Sequence, residues 1–189
     1  MISPELLQRY GGLAADVQDV LFTPEQIQLR VTELGRAIAL DYAGRNPLLV
    51  GVLKGVLFFM ADLLRAIPVP VEVDFLAVAS YSAETRNRGK VRLVKDLEVD
   101  ISGRHLLFVE DVVDTGLTLN YLLSTLRARQ PASLEVCVLF DKPKKRLIDI
   151  PLKYTGFNLP DQFVVGYGLD HHERYRNLPF VGLLKASAL

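Results

Sequence analysis

His105-Leu106-Leu107-Phe108-Val109-Glu110-Asp111-Val112-Val113-Asp114-Thr115-Gly116-Leu117-Thr118 reads as a buried strand, an acidic edge and the start of a helix in one run. His105–Val109 is apolar enough to lie inside a sheet covered on both faces. Leu117–Arg129 then sets Leu119, Leu122, Leu123 and Leu126 on one helical face. The same alternation repeats outward. Upstream, Thr23-Pro24-Glu25-Gln26 is a capping-box start, and Ile27, Val31, Leu34 and Ile38 form the face of a helix that stops by Gly44. Pro47–Leu53 predicts a strand, Val56–Ala66 a helix ended by Pro68 and Pro70, and Val71–Ala79 a strand. Downstream, Leu134–Phe140, Phe163–Leu169 and Phe180–Leu184 complete the predicted strands. Apolar strands separated by amphipathic helices imply an α/β fold with a mostly parallel sheet flanked by helices.

The chain has 189 residues, half of them apolar and 23% charged, which suits one folded domain spanning 1–189 and argues against disorder. Lys plus Arg total 22 and Asp plus Glu total 22, so no basic excess exists for coating nucleic acid or an anionic membrane. Cys137 is the single cysteine, which excludes an internal disulfide and a multi-cysteine zinc site. It lies in an apolar run and reads as a buried thiol. No secretory leader is visible, and the longest apolar tract is broken by Lys54 and Asp62, so a cytoplasmic protein is expected. Residues 80–104 form a polar stretch with a weak strand signal at Val91–Val94, the composition of a loop or lid. Residues 1–22 carry no legible motif.

In parallel sheets ligands bind beyond the carboxyl ends of the strands, so the residues there hold the chemistry. Glu110 and Asp111 are carboxylates delivered to that edge, where desolvation calls for cations or hydroxyl donors. Asp114-Thr115-Gly116-Leu117-Thr118 turns into a helix N-terminus, whose free amides and two hydroxyls suit a phosphate. Gly116 permits close backbone approach. Acid groups for a sugar diol or Mg²⁺, followed by a phosphate cradle, match the polarity of a ribose 5-phosphate.

Val109–Thr118 resembles the phosphoribosyl-diphosphate (PRPP) motif of the type I phosphoribosyltransferases. Gly51-Val52-Leu53-Lys54-Gly55, Ser80-Tyr81, Lys95-Asp96-Leu97, Asp141-Lys142-Pro143 and Phe163–Asp170 follow in family order and resemble its hypoxanthine (-guanine) branch. The resemblance implies a twisted, mostly parallel sheet, a small hood built from the chain ends and a flexible lid over about 80–104. It implies transfer of the 5-phosphoribosyl group of PRPP to a 6-oxopurine, hypoxanthine and guanine, with Mg²⁺ as cofactor. It also implies a homodimer or homotetramer and no nucleic-acid or membrane partner.

The same resemblance assigns roles residue by residue. Asp114 is the catalytic base near purine N7, and Glu110, Asp111 and Thr115–Thr118 bind the ribose and its phosphate. Lys54, Gly55 and Arg176 contact pyrophosphate, and the Leu53–Lys54 peptide is expected cis. Ser80 and Tyr81 belong to the lid. Lys142 meets the purine 6-oxo group, Phe163 stacks on the base and the Val164 backbone reads its edge. Asp170 joins Glu110 and Asp111 as a Mg²⁺-associated carboxylate. Lys144, Lys145 and Arg146 are expected in a solvated turn, and His171-His172-Glu173 lacks zinc-site spacing. Ser82 stands where the family usually has Gly, and Arg86-Asn87-Arg88 replaces smaller polar residues. Two alternatives stay open: a transferase for another base such as xanthine, and a PRPP-sensing regulator that binds nucleic acid.

Overall fold

Burial divides each central strand into two faces, and that division builds the molecule. In the computed structural model, which describes residues 3–80 and 91–188, the central sheet has six strands. They are β2 (Leu48–Leu53), β3 (Glu72–Ser80), β4 (Val91–Lys95), β5 (His105–Val113), β6 (Ser133–Asp141) and β7 (Tyr154–Asn158), in the order β4-β3-β2-β5-β6-β7. Every pairing is parallel except β3 with β4.

Successive side chains of a strand point to opposite faces. Leu48, Val50, Leu106, Phe108, Val136 and Val138 therefore pack on one side with α4 (Leu117–Arg127), through its Leu119, Leu122, Leu123 and Leu126. Leu49, Leu107, Val109, Cys137 and Leu139 pack on the other, against α2 (Pro24–Asp41) and α3 (Leu57–Ala66). Helix α2 starts as its capping box requires: the Thr23 hydroxyl accepts from the Gln26 amide at 3.3 Å, and the Thr23 amide donates to Gln26 Oε1 at 2.9 Å.

The chain ends meet in a second, three-stranded antiparallel sheet. Strand β1 (Val17–Phe22), after helix α1 (Pro4–Ala15), pairs with β9 (Val181–Leu184), which pairs with β8 (Val164–Val165). This is the hood. Among the described residues no helix is long and apolar enough to cross a membrane.

Four expectations change. Strand β5 does not stop at Val109: the parallel ladder continues through Glu110↔Val138, Val112↔Phe140 and Val113↔Asp141. The acidic pair thus sits within a strand, where the ladder fixes its backbone. The run Phe163–Leu169 is strand only at Val164–Val165, because Gly166, Tyr167 and Gly168 all take positive φ and turn the chain. A Cβ at Gly166 would collide with the Phe180 carbonyl, and one at Gly168 with the Gly55 carbonyl. Of the expected lid, Ser80 ends β3, and Val91–Lys95 is a sheet strand followed by a segment anchored by buried Ile101. Tyr81, Ser82, Arg86, Asn87 and Arg88 lie outside the described residues. Arg146, expected in a solvated turn, is largely enclosed: it pairs with buried Asp141 at 2.6 Å and donates to the Ile150 carbonyl at 3.0 Å.

Candidate active site

The carboxyl ends of β2, β5 and β6 deliver Lys54-Gly55, Glu110-Asp111-Asp114 and Lys142 to one edge of the sheet. The hood supplies Phe163, Val164, Asp170 and Arg176 from the opposite side. Two cavities of about 210 Å³ each open here, one between this edge and the hood, the other between the end of β5 and the start of α4. One is walled by Asp111, Lys142, Phe163, Val164, Leu169 and Asp170. The other is walled by Glu110, Thr115, Gly116, Thr118 and Leu119. Val112 and Asp114 line both, so the Asp114 carboxylate stands at their junction.

The first cavity sets a partly exposed aromatic ring beside a buried ammonium. Phe163 is 43% exposed, and its ring meets His171 edge-on, with centroids 5.1 Å apart. Lys142 is only 8% exposed; its Nζ donates to the Gln162 carbonyl at 2.9 Å, and its amide donates to the Val113 carbonyl. Burial pulls the Lys142 ammonium below its ordinary pKa, with Asp114 acting in the opposite sense. A buried ammonium with spare donors calls for an acceptor.

The second cavity ends at the start of α4. Gly116 is the residue before the helix, with φ 80° and no side-chain cap, and the Thr115 hydroxyl accepts from the Leu117 amide at 3.4 Å. The first amides of a helix have no intrahelical partner, so they and the Thr115 and Thr118 hydroxyls offer donors to an anion.

Two acids stand out by what they lack, and Asp111 lies beside them. Among the described residues, Glu110 Oε2 and Asp114 Oδ1 are enclosed without a hydrogen-bond partner. Burial, then the neighbouring Asp111, holds the Glu110 carboxyl well above the usual range. Burial also pushes Asp111 up to about 6, against the Val112 amide, which donates to its Oδ1 at 2.8 Å, and the Arg176 charge. Such carboxylates fit a cation or sugar hydroxyls, and Mg²⁺ is a suitable cation. Among the described residues no three His, Cys, Asp or Glu side chains converge on one point, so Glu110, Asp111 and Asp170 do not form a protein-only cage. A metal here would take its remaining oxygens from phosphates and water.

The cationic side is pre-engaged. Gly55 packs so closely on Asp111 that a Cβ there would collide with its carboxylate, and the Leu53–Lys54 peptide is cis. Lys54 Nζ lies 3.1 Å from Glu173 Oε2. Arg176 donates to the Gly168 carbonyl at 2.8 Å and pairs with Asp170 Oδ1 at 2.8 Å and Glu173 Oε2 at 3.3 Å. Two residues without any motif signal also join the site. Lys145 bridges Asp161 at 3.1 Å and Asp114 at 3.7 Å, and Glu173 is the shared partner of both cations. Their sole signal is proximity in sequence to Lys142 and Asp170.

The phosphoribosyl transferase domain model matches residues 18–172. The hypoxanthine-guanine phosphoribosyltransferase of Streptococcus agalactiae is 50% identical over 92% of this chain and 96% of its own. That of Mycobacterium avium is 51% identical over 89% and 86%. The crystal structure of a hypoxanthine phosphoribosyltransferase from Staphylococcus aureus superposes with a TM-score of 0.88 at 43% identity, covering 93% of this chain and 95% of that one. The acid-and-amide cleft, the hooded sheet and these relatives agree: the chain belongs to the phosphoribosyltransferase family, in its hypoxanthine-guanine branch.

Proposed function

We propose that the protein transfers the 5-phosphoribosyl group of PRPP to N9 of hypoxanthine or guanine, releasing pyrophosphate. The observation that supports this is the placement of Asp114 where a heterocycle cavity and a phosphate cavity meet. In this reading the purine lies on Phe163, with its 6-oxo group toward Lys142 and its edge on the Val164 backbone. The 5′-phosphate occupies the start of α4, and the ribose hydroxyls lie along Glu110 and Asp111. N9 bonds to C1′ as the bond from C1′ to pyrophosphate oxygen breaks with its electron pair. The proton on N7 passes to Asp114, which stands beside the ribose carbon where positive charge develops. Lys54 and Arg176 receive the departing pyrophosphate. Mg²⁺, held by Asp170 and phosphate oxygens, would supply further positive charge to that leaving group. Ser80 and Tyr81 belong to the closing lid in this reading, and a homodimer or homotetramer is its expected assembly.

The test is pyrophosphate release with PRPP, Mg²⁺ and, in turn, hypoxanthine, guanine, xanthine, adenine and uracil. Turnover is expected with the first two, at least tenfold above adenine and uracil, because Lys142 offers only donors to position 6. Absence of turnover with every purine overturns the reading.

A further inference from the structure

Glu173 sits where a substrate anion would sit. Its Oε2 lies 3.1 Å from Lys54 Nζ and 3.3 Å from Arg176 Nη2, so one carboxylate oxygen is shared by the two cations assigned to pyrophosphate. The backbone is shaped to hold it there. His171 and Arg174 form an isolated antiparallel bridge, with amide-to-carbonyl contacts of 3.2 and 3.0 Å in the two directions. Between them His172 and Glu173 take φ of 52° and 62°, the conformation of a tight hairpin corner. Left-handed φ is uncommon away from glycine, and two successive non-glycine residues hold it here. The Glu173 amide donates to Asp170 Oδ2 at 2.9 Å, which ties the corner to the same acid that pairs with Arg176.

We propose that Glu173 is an internal stand-in for pyrophosphate: it occupies Lys54 and Arg176 in the free enzyme, yields them to PRPP, and reclaims them as pyrophosphate departs. The inference rests on the reading that these two cations hold pyrophosphate. Its physical content is a competition. Ion pairs at exposed positions are individually weak, so the stand-in is displaceable, but substrate must break both contacts and also overcome the nearby negative charge. Glu173 therefore lowers affinity for the leaving group and favours its release without touching the purine cavity.

The experiment is titration calorimetry of the full chain with inorganic pyrophosphate in Mg²⁺ buffer, for the parent, Glu173→Gln and Lys54→Ala. Glutamine keeps the length of the side chain and the backbone amide to Asp170 but removes the charge. Glu173→Gln should bind pyrophosphate about threefold to tenfold more tightly, and its KM for PRPP should fall in parallel. A purine nucleoside 5′-monophosphate, which carries no pyrophosphate, should change affinity by less than twofold. Structural damage would weaken binding, so tightening separates loss of the competing carboxylate from damage to the fold. Unchanged or weaker binding in Glu173→Gln, with Lys54→Ala clearly weakened, overturns the stand-in role. Undiminished binding in Lys54→Ala instead overturns the assignment of Lys54 on which the role rests.

Discussion

Gly55 shows how much of this site depends on a single missing atom. It follows the cis Leu53–Lys54 peptide, does not have positive φ, and lies so near Asp111 that an added Cβ would meet the carboxylate head-on. Alanine is therefore tolerated by the backbone but not by the acid pair. Moving Asp111, whose carboxyl burial already raises to about 6, disturbs the wall of the cavity it shares with Lys142 and Phe163, and with it the proposed seats of purine and ribose. Gly55→Ala should lower kcat/KM for PRPP at least tenfold while shifting Tm by only a few degrees. Steady-state kinetics beside a thermal melt will show it, and a variant with unaltered kcat/KM would refute the close approach. Residues of this kind explain what the sequence discloses about a site. Asp114 and Gly116 stand at a predicted helix start, so position singled them out, whereas Lys142 was read only through the family resemblance. Glu173 was invisible because its role comes from a hairpin corner that aims it at Lys54, a contact across 119 residues of chain. Arg146 misled for the opposite reason, since a basic run looks solvated until buried Asp141 is seen beside it.

At the scale of elements, Asp74 governs how the sheet gains its antiparallel edge. Its carboxylate lies in β3, where burial alone would push its pKa up. The Glu98 and Phe75 amides, each donating at 2.7 Å, and Lys95 at 3.2 Å outweigh that burial and hold it below the usual carboxylate range. This knot ties the end of β4 back to β3. A carboxyl with a lowered folded-state pKa contributes stability that is present above its unfolded value, about 4, and lost as pH falls through the folded value. Asp74→Asn leaves one of the amides facing a donor, at a cost of about 1–3 kcal/mol near neutral pH. Urea melts of parent and variant should show that gap at pH 7 and its narrowing below about pH 4. A gap that stays constant down to pH 3 would contradict the ionic origin. Elements with local signals, such as α2, α4, β2 and β6, were readable because capping and periodicity act over a few residues. Strands β1 and β7 were not. Strand β1 pairs with β9 at the far end of the chain, and Gly156 in β7 resembles a turn signal, although it is required where the Leu139 carbonyl passes. The edge of β7 is closed instead by Arg30, which donates to the Thr155 and Gly156 carbonyls at 2.7 and 3.0 Å.

For the whole molecule, the question is whether hood and sheet are one cooperative body, because the cavity proposed for the purine is walled by both. The hood has a small apolar cluster of its own, including Val17, Val165, Leu178, Phe180 and Leu184. A cluster of that size cannot offset the entropy of ordering three strands. Other hood residues do not belong to it: Val164, Tyr167, Leu169 and Val181 pack in the same cluster as Ile27, Phe59 and Leu107. Phe22 of β1 reaches the core sheet directly, with ring centroids 4.2 Å from Phe157 and 5.8 Å from Phe140. The Tyr167 hydroxyl donates to Asp62 of α3 at 2.7 Å, so the turn that carries Gly168 and Asp170 is also bolted to the sheet layer. Continuous packing of this kind predicts that the hood opens only when the core opens. Native-state hydrogen exchange tests it at the Leu184 and Tyr167 amides, which donate to the Phe163 and Leu178 carbonyls. Their opening free energies should fall within about 1–2 kcal/mol of those of the β5 amides and share the denaturant dependence of global unfolding. Hood amides that exchange several kcal/mol more readily, with little response to denaturant, would show a separately mobile hood. In that case the purine cavity would be assembled on binding rather than built in advance, and Phe163 would meet the base only after closure.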